Sequence, residues 1–288
     1  MNEPVFGAVQ CLSPAGLHKM GYTQWGDPRN PRVLVCVHGL TRVGRDFDRL
    51  ARALCGRYRV ICPDAVGRGR SDWLRDPAHY MLSQYVADMV TLIARLDVEQ
   101  VAWIGTSMGG LVGIGLSGLA QSPIVRLVLN DVGPRMELSA LERIGTYVGQ
   151  PIRFESLEQA TEYNRSIAAG FAMRSDDEWR EITASVLKVD GDGYVLHYDP
   201  AISVPVRALT PELIAAGEHM LWSLYDAIRC PTLLLRGERS DLLTVATAAE
   251  MSERGPRARV VTIPGVGHAP MLFDPEQIEV VKAFLLED

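Results

Sequence analysis

Residues 101–110 read Val-Ala-Trp-Ile-Gly-Thr-Ser-Met-Gly-Gly, an apolar run that leads into a serine flanked by small residues. The run 101–104 predicts a buried strand, and the apolar residues 108–120 predict a helix directly after it. A G-x-S-x-G pentapeptide between a strand and a helix needs its glycines because larger side chains would clash in so tight a turn. The turn lifts the Ser107 hydroxyl above the sheet at a helix N-terminus, where N–H groups favour developing negative charge. Ser107 is therefore the predicted nucleophile.

The same region raises a second possibility, because the 26 residues between Glu99 and Arg126 carry no charge. A stretch of this length could span a bilayer as a helix. It also holds six glycines, several hydroxyl side chains and Pro123, which disfavour a helix facing lipid. We therefore interpret it as a buried strand, a tight turn and a buried helix.

Outward from this segment, strand patterns alternate with helix patterns along the chain. Strands are predicted at 5–12, 18–25, 33–37, 59–62, 101–104, 124–129, 232–235 and 259–263, and helices at 45–54, 83–96, 108–120, 244–254 and 275–286. The first two strands are predicted to form a hairpin. Alternation of this kind predicts the α/β class, with a mostly parallel sheet that has helices on both faces.

The alternation stops over residues 134–229, where amphipathic helical patterns at about 137–148, 156–170, 176–187 and 211–227 show no obvious buried strand between them. The simplest interpretation is an insertion into a single sheet. We therefore predict a core formed by residues 1–133 and 230–288, and a helical cap formed by residues 134–229.

Composition excludes several classes of function. The chain has 288 residues, of which 47% are hydrophobic and 22% charged, and its net charge is −6, so it is neither disordered nor a default partner for nucleic acid or membrane surfaces. The five cysteines are odd in number and form no C-x-x-C pair, and residues 1–16 do not resemble a signal peptide. We expect reduced thiols, a cytoplasmic location and a small-molecule partner. Monomer and homodimer both stay open.

Two backbone N–H groups are candidates for an oxyanion hole. His38-Gly39-Leu40 follows the predicted strand 33–37, and the glycine allows a sharp turn that leaves the next N–H free. The N–H groups of Leu40 and Met108 would then stabilise a tetrahedral oxyanion. His38 itself is expected to fix the turn rather than to act as a base.

The general base and its carboxylate partner are predicted from loops that follow strands. His268 lies in a glycine- and proline-rich loop after the strand at 259–263. A histidine base needs a carboxylate that holds its tautomer. Asp241 follows the strand at 232–235 and gives the chain order serine, aspartate, histidine, so it is the favoured acid. Asp131, at the end of the strand at 124–129, is the alternative.

Together these segments resemble the α/β-hydrolase superfamily, in its branch of serine-nucleophile carboxylesterases, enol-lactonases and C–C hydrolases. The resemblance rests on His38-Gly39, the run 64–71 (Asp-Ala-Val-Gly-Arg-Gly-Arg-Ser), the pentapeptide around Ser107, the turn 237–241 and Gly267-His268. It covers essentially the whole chain. It implies an α/β-hydrolase fold with an eight-stranded sheet and a cap over the active site, and a mostly structural role for residues 64–71.

The activity implied is cofactor-free and metal-free hydrolysis of a small carboxylic ester or lactone through an acyl-enzyme. Three alternatives stay open: a C–C bond hydrolase or a perhydrolase with the same triad, and a receptor that binds ligands without turnover. Arg42 is a candidate for binding a substrate carboxylate. The candidates for apolar pocket surface are Trp179 and Trp222, with Phe171, Met173 and Tyr225.

Overall fold

The computed structural model describes residues 3–287, so the outermost residues of the two predicted core segments lie outside it. Its centre is an eight-stranded sheet formed by β1 (Val5–Ser13), β2 (Gly16–Trp25), β3 (Val33–Val37), β4 (Arg59–Pro63), β5 (Val101–Thr106), β6 (Ile124–Asn130), β10 (Thr232–Gly237) and β11 (Arg259–Ile263). The spatial order is β1-β2-β4-β3-β5-β6-β10-β11. The predicted opening hairpin is present, and from β4 to β11 every neighbouring pair is parallel.

Helices cover both faces of this sheet. Those of the core are α1 (Asp48–Leu54), α2 (Leu82–Arg95), α3 (Met108–Ser117), α9 (Val245–Glu253) and α10 (Pro275–Leu285). Side chains of β3 alternate between the two layers: Val33, Val35 and Val37 pack with the cluster that contains α2 and α3, whereas Leu34 and Cys36 pack with α1 and α10. The predicted α/β class, with a mostly parallel sheet covered by helices on both faces, is therefore confirmed.

The insertion between β6 and β10 contains α4 (Leu138–Tyr147), α5 (Leu157–Ile167), α6 (Asp176–Ala184), α7 (Ser203–Arg207) and α8 (Pro211–Ala227). It also contains a small antiparallel sheet, ordered β7-β9-β8, formed by β7 (Arg153–Phe154), β8 (Leu187–Asp190) and β9 (Gly193–Leu196). The sequence did not predict this sheet.

Helix α8 was predicted as part of the cap, but it packs on the core. Leu221, Trp222 and Tyr225 belong to the same buried cluster as the sheet, and a Cβ on Gly118, which directly follows α3, would lie 2.5 Å from the Leu224 carbonyl oxygen. The chain segment 134–229 therefore includes one helix of the core layer. Within residues 3–287, no helix combines the length and apolar character needed to cross a membrane.

Candidate active site

Three predicted segments meet at the carboxyl edge of the sheet. His268 Nε2 lies 2.9 Å from the Ser107 hydroxyl oxygen, and His268 Nδ1 lies 2.7 Å from Asp131 Oδ2. An ionised carboxylate only accepts hydrogen bonds, so Nδ1 carries the ring proton and Nε2 is left as the acceptor for the Ser107 hydroxyl. The histidine is thus held in the tautomer that can take a proton from the serine.

Ser107 occupies the strained turn that the sequence predicted. Its φ and ψ are 51° and −116°, a region that non-glycine residues rarely adopt, and α3 begins at the next residue. The Ser107 N–H donates to the Asn130 carbonyl of β6 at 3.0 Å, which fixes the turn to the neighbouring strand. Strain of this kind persists only where surrounding contacts impose it, and it is typical of functional sites.

The expectation that Asp241 contacts His268 is wrong, because Asp131 occupies that position. Asp131 is fully buried, and its Oδ1 accepts the Gly237 N–H at 2.7 Å while its Oδ2 also accepts the Ser240 hydroxyl at 2.6 Å. Asp241 instead lies 2.8 Å from Arg143, and its side chain is 47% exposed. The loop after β10 therefore contributes hydrogen bonds that hold the carboxylate, and not the carboxylate itself.

The two residues with candidate oxyanion donors adjoin Ser107: Met108 follows it in the chain, and Leu40 lines the same cavity. Met108 is the first residue of α3, where N–H groups have no partner within the helix, and a Cβ on Gly39, which precedes Leu40, would lie 3.7 Å from the Ser107 Cβ. Arg68, which sequence reasoning missed, is fully buried behind both: its Nε donates to the Leu40 carbonyl at 2.8 Å, and its Nη2 lies 3.6 Å from the Met108 sulfur.

His38 has the structural position expected of it. The Ala65 N–H donates to His38 Nε2 at 2.9 Å, and His38 Nδ1 lies 2.7 Å from the Gly39 carbonyl oxygen, which it can reach only as a donor. Burial lowers the pKa of His38 to about 3, so the ring is neutral at physiological pH. The Asp64 carboxylate of the 64–71 segment likewise accepts backbone N–H groups, from Gly44 and Arg70.

A cavity of about 100 Å³ adjoins Ser107 and His268 beneath the insertion. Its apolar wall includes Leu40, Ile144, Val148, Ile167, Phe171, Val186 and Met271. Its polar lining includes Arg42, Arg143, Tyr147, Tyr163, Asn164 and Tyr198. Of these, only Leu40, Arg42 and Phe171 were candidates from the sequence. Arg143 and Tyr147 could have been found from their i,i+4 spacing on one face of a predicted cap helix.

Arg42 lines this cavity, but its charge is already compensated. Its Nε and Nη2 donate to the two carboxylate oxygens of Asp46 at 2.7 and 2.6 Å, and Nη2 also donates to the Ile182 carbonyl of α6 at 3.0 Å. Both side chains are about nine-tenths buried. The contacts indicate that Arg42 links the core to the insertion, which disfavours the predicted role in binding a substrate carboxylate.

Trp179 and Trp222 lie elsewhere, so the prediction that they form pocket surface is wrong for the described cavity, whose lining within residues 3–287 includes neither. Trp179 stacks on Phe171 with ring centroids 6.5 Å apart and packs α6 against the loop after His268. Trp222 meets Tyr225 edge to face, and the Arg254 guanidinium lies 4.2 Å from its ring. Both indoles pack helices onto the rest of the protein.

Among residues 3–287, one cluster has side chains that could ligate a metal ion, and none of its members lines this cavity. Cys11, His18 and Asp88 are buried between the β1–β2 hairpin and α2, with His18 Nε2 3.0 Å from Asp88 Oδ2. Gln84 donates to the other Asp88 oxygen at 2.8 Å, and burial raises the pKa of the Cys11 thiol to about 12. These contacts fit a hydrogen-bonded cluster that fastens the hairpin to the helix.

The sequence profile of the Alpha/beta hydrolase family matches residues 34–281, which include Ser107, Asp131 and His268. The chain belongs to the Alpha/beta hydrolase family. The prediction of an enzyme of this family is thereby confirmed. The carboxylate that contacts His268, Asp131, directly follows β6.

Individual relatives resemble this α/β-hydrolase over its full length. The chain is 56% identical over 286 residues to a 3-hydroxybutyrate-oligomer hydrolase from Cupriavidus necator, with 98% of each chain covered. Among solved structures, an alpha/beta hydrolase from Novosphingobium aromaticivorans is 36% identical with a TM-score of 0.86, and 99% of each chain is covered. A putative hydrolase from Rickettsia typhi is 29% identical with a TM-score of 0.88, and 98% of each chain is covered.

Proposed function

We propose that this protein hydrolyses short linear esters of 3-hydroxybutyrate, with Ser107 as nucleophile, His268 as general base and acid, and Asp131 as the carboxylate that orients His268. The observation that carries the proposal is the continuous hydrogen-bonded chain from Asp131 through His268 to Ser107, at 2.7 and 2.9 Å. The substrate class is supported by the 56% identity to the 3-hydroxybutyrate-oligomer hydrolase.

In the first half of the reaction, the Ser107 oxygen attacks the ester carbonyl carbon while His268 Nε2 takes the hydroxyl proton. The N–H groups of Leu40 and Met108 receive the oxyanion, an interaction worth about 3–4 kcal/mol per donor in enzymes where it has been removed. His268 then gives its proton to the leaving alkoxide, which departs as the 3-hydroxyl group of the released fragment. An acyl group remains on Ser107.

In the second half, water attacks the acyl-enzyme and His268 takes the proton from that water. Collapse of the second oxyanion releases the carboxylic acid and returns the proton to Ser107. Asp131 stays ionised throughout and stabilises the imidazolium that forms twice. The apolar wall of the cavity, with Ile144, Val148 and Val186 among its members, suits the methyl groups and methylenes of such an oligoester.

The test combines active-site labelling with a substrate panel. We expect a fluorophosphonate probe to label the wild-type protein at Ser107 and to leave a folded Ser107→Ala variant unlabelled. The panel holds a 3-hydroxybutyrate dimer, its methyl ester, a lactone and a dienone acid. Preferred turnover of the dimer or its ester supports the proposal. Turnover of the dienone acid alone would instead assign C–C bond hydrolysis. If the probe does not label the wild-type protein, a receptor that binds ligands without turnover is favoured.

A further inference from the structure

Two arginines line the cavity beside Ser107, and they differ in how firmly their charges are engaged. Arg42 makes a two-oxygen contact with a buried carboxylate and also donates to a backbone carbonyl. Arg143 approaches Asp241 differently, because its Nε and Nη2 both lie 2.8 Å from the same oxygen, Oδ2. A fork that engages two oxygens is the stronger geometry for a guanidinium and a carboxylate.

The Arg143–Asp241 pair is also more exposed to solvent than the Arg42–Asp46 pair. The side chains of Arg143 and Asp241 are 41% and 47% exposed, so water and salt screen their attraction. Exposed ion pairs of this kind contribute little net free energy, which means that another carboxylate can replace Asp241 at small cost. Arg143 therefore carries a charge at the cavity that an anionic ligand can use.

The wall beside Arg143 supplies further donors. Tyr147 lies one turn along α4 from Arg143, and both side chains line the cavity. Tyr163 lines the same cavity, and its hydroxyl is buried with no hydrogen-bond partner in the described part of the chain. A buried hydroxyl without a partner is costly, and a ligand oxygen would satisfy it.

This wall suits the one charged group that a linear hydroxyacid oligoester carries. Each ester link consumes a hydroxyl and a carboxyl group, so a chain of any length keeps a single free carboxylate at one end. Resting on the function proposed above, we propose that Arg143, in a cavity wall that also includes Tyr147 and Tyr163, binds this terminal carboxylate. Recognition of that group makes the enzyme select free oligomeric acids over their neutral esters.

The experiment compares kcat/KM for a 3-hydroxybutyrate trimer and for its methyl ester, which differ only in the terminal charge. The wild-type protein is expected to favour the acid. Arg143→Gln lowers the acid-to-ester ratio about tenfold, the size of effect given by loss of a hydrogen-bonded charge contact. Asp241→Asn shifts the ratio in the opposite direction, by roughly two- to fivefold, because it removes a weakly held competitor for Arg143.

The matched control is Arg153→Gln, which removes a cap arginine of similar exposure that pairs with Asp192. It causes the same change in net charge and should leave the ratio at the wild-type value. Equal ratios in Arg143→Gln and Arg153→Gln would overturn the carboxylate site, as would a lowered ratio in Asp241→Asn. If Arg143→Gln fails to fold, the direction of the Asp241→Asn change still decides. Failure of the wild-type protein to cleave either trimer would instead overturn the proposed function.

Discussion

At the scale of single residues, the hydrogen bonds around Asp131 explain how a carboxylate can be fully buried and still serve the neighbouring histidine. Burial of an ionised carboxylate is costly unless donors replace its hydration. Asp131 receives three such donors, from Gly237, Ser240 and His268. Its backbone has a φ of 56°, which turns the chain at the end of β6 and aims the carboxylate at the loop that carries His268.

We predict that Asp131→Asn lowers kcat by about four orders of magnitude, because an amide in this position favours the wrong histidine tautomer. The measurement is the hydrolysis of a neutral p-nitrophenyl ester by purified protein. Unfolding by urea checks that the variant is folded.

Asp241→Asn is the matched control, since it makes the same chemical change in a carboxylate that does not contact His268. On the neutral ester its kcat should stay within about threefold of the wild-type value, as for loss of an exposed ion pair. If Asp241→Asn lowered kcat more than Asp131→Asn did, Asp241 would be the carboxylate that orients His268.

The sequence predicted which residues are nucleophile and base but ranked the two carboxylates in the wrong order. Ser107 and His268 have strong local signals, a pentapeptide in one case and a glycine-rich loop after a strand in the other. Asp131 and Asp241 both follow strands and both lie between Ser107 and His268 along the chain, so neither the strand pattern nor the order serine, aspartate, histidine separates them. The deciding quantity is the direction in which each side chain points, which depends on the turn at Asp131 and on Arg143 from a distant helix.

At the scale of elements, the turn between β5 and α3 depends on the absence of side chains at its glycines. A Cβ on Gly109 would lie 2.0 Å from the Val37 carbonyl oxygen, which belongs to the backbone of β3 and cannot move without disturbing the sheet. The helix that presents Ser107 can therefore approach the sheet closely only with glycine at this position.

We predict that Gly109→Ala lowers the free energy of unfolding by about 3 kcal/mol or more, at or above the upper end of the usual cost of overpacking a core. It should also lower the yield of active enzyme. The measurement is the free energy of unfolding in urea. Gly217→Ala is the matched control, because Gly217 lies inside α8 and a Cβ there would meet no heavy atom within 4 Å. Alanine at 217 should stabilise the protein by about 0.5–1 kcal/mol. Similar effects of the two substitutions would contradict this account of the turn.

Elements were predictable where they are long or fully buried. The core strands were predicted to within about two residues, because continuous apolar runs identify strands covered on both faces. The strands of the small sheet in the insertion have only two to four residues, and three of the four residues of β8 are exposed, so no periodic apolar signal marks them. Helix α8 was located correctly, but its packing on α3 depends on tertiary contacts that its own sequence does not reveal.

At the scale of the whole molecule, ion pairs join the insertion to the core. Arg42 reaches the backbone of α6 from the loop after β3, and Arg49 of α1 lies 2.9 and 2.6 Å from Glu178 and Glu181 of the same helix. Arg42 is itself paired with Asp46, and both of these side chains are about nine-tenths buried. Removing one partner of a buried pair leaves the other without compensation.

We predict that Arg42→Met lowers the free energy of unfolding by about 3–5 kcal/mol, and that adding Asp46→Leu restores most of the loss because both charges are then gone. Urea denaturation of the single and double variants measures this. In kinetics, Arg42→Met should lower kcat/KM by the same factor for a carboxylate-bearing ester and a neutral one. If Arg42→Met lowered kcat/KM only for the carboxylate-bearing ester, Arg42 would bind the substrate carboxylate, as the sequence predicted.

The order of the sheet has a consequence for the way the active site is assembled during folding. Strands β6 and β10 lie side by side, yet about 100 residues of the insertion separate them along the chain. Closing a loop of that length costs about 2 kcal/mol more in chain entropy than closing one of ten residues. Asp131 and Gly237 form their hydrogen bond at this junction, so the carboxylate is oriented only after the two halves of the sheet have met. Recovery of catalytic activity therefore reports the joining of the halves, and burial of Trp103 in the first half can precede it.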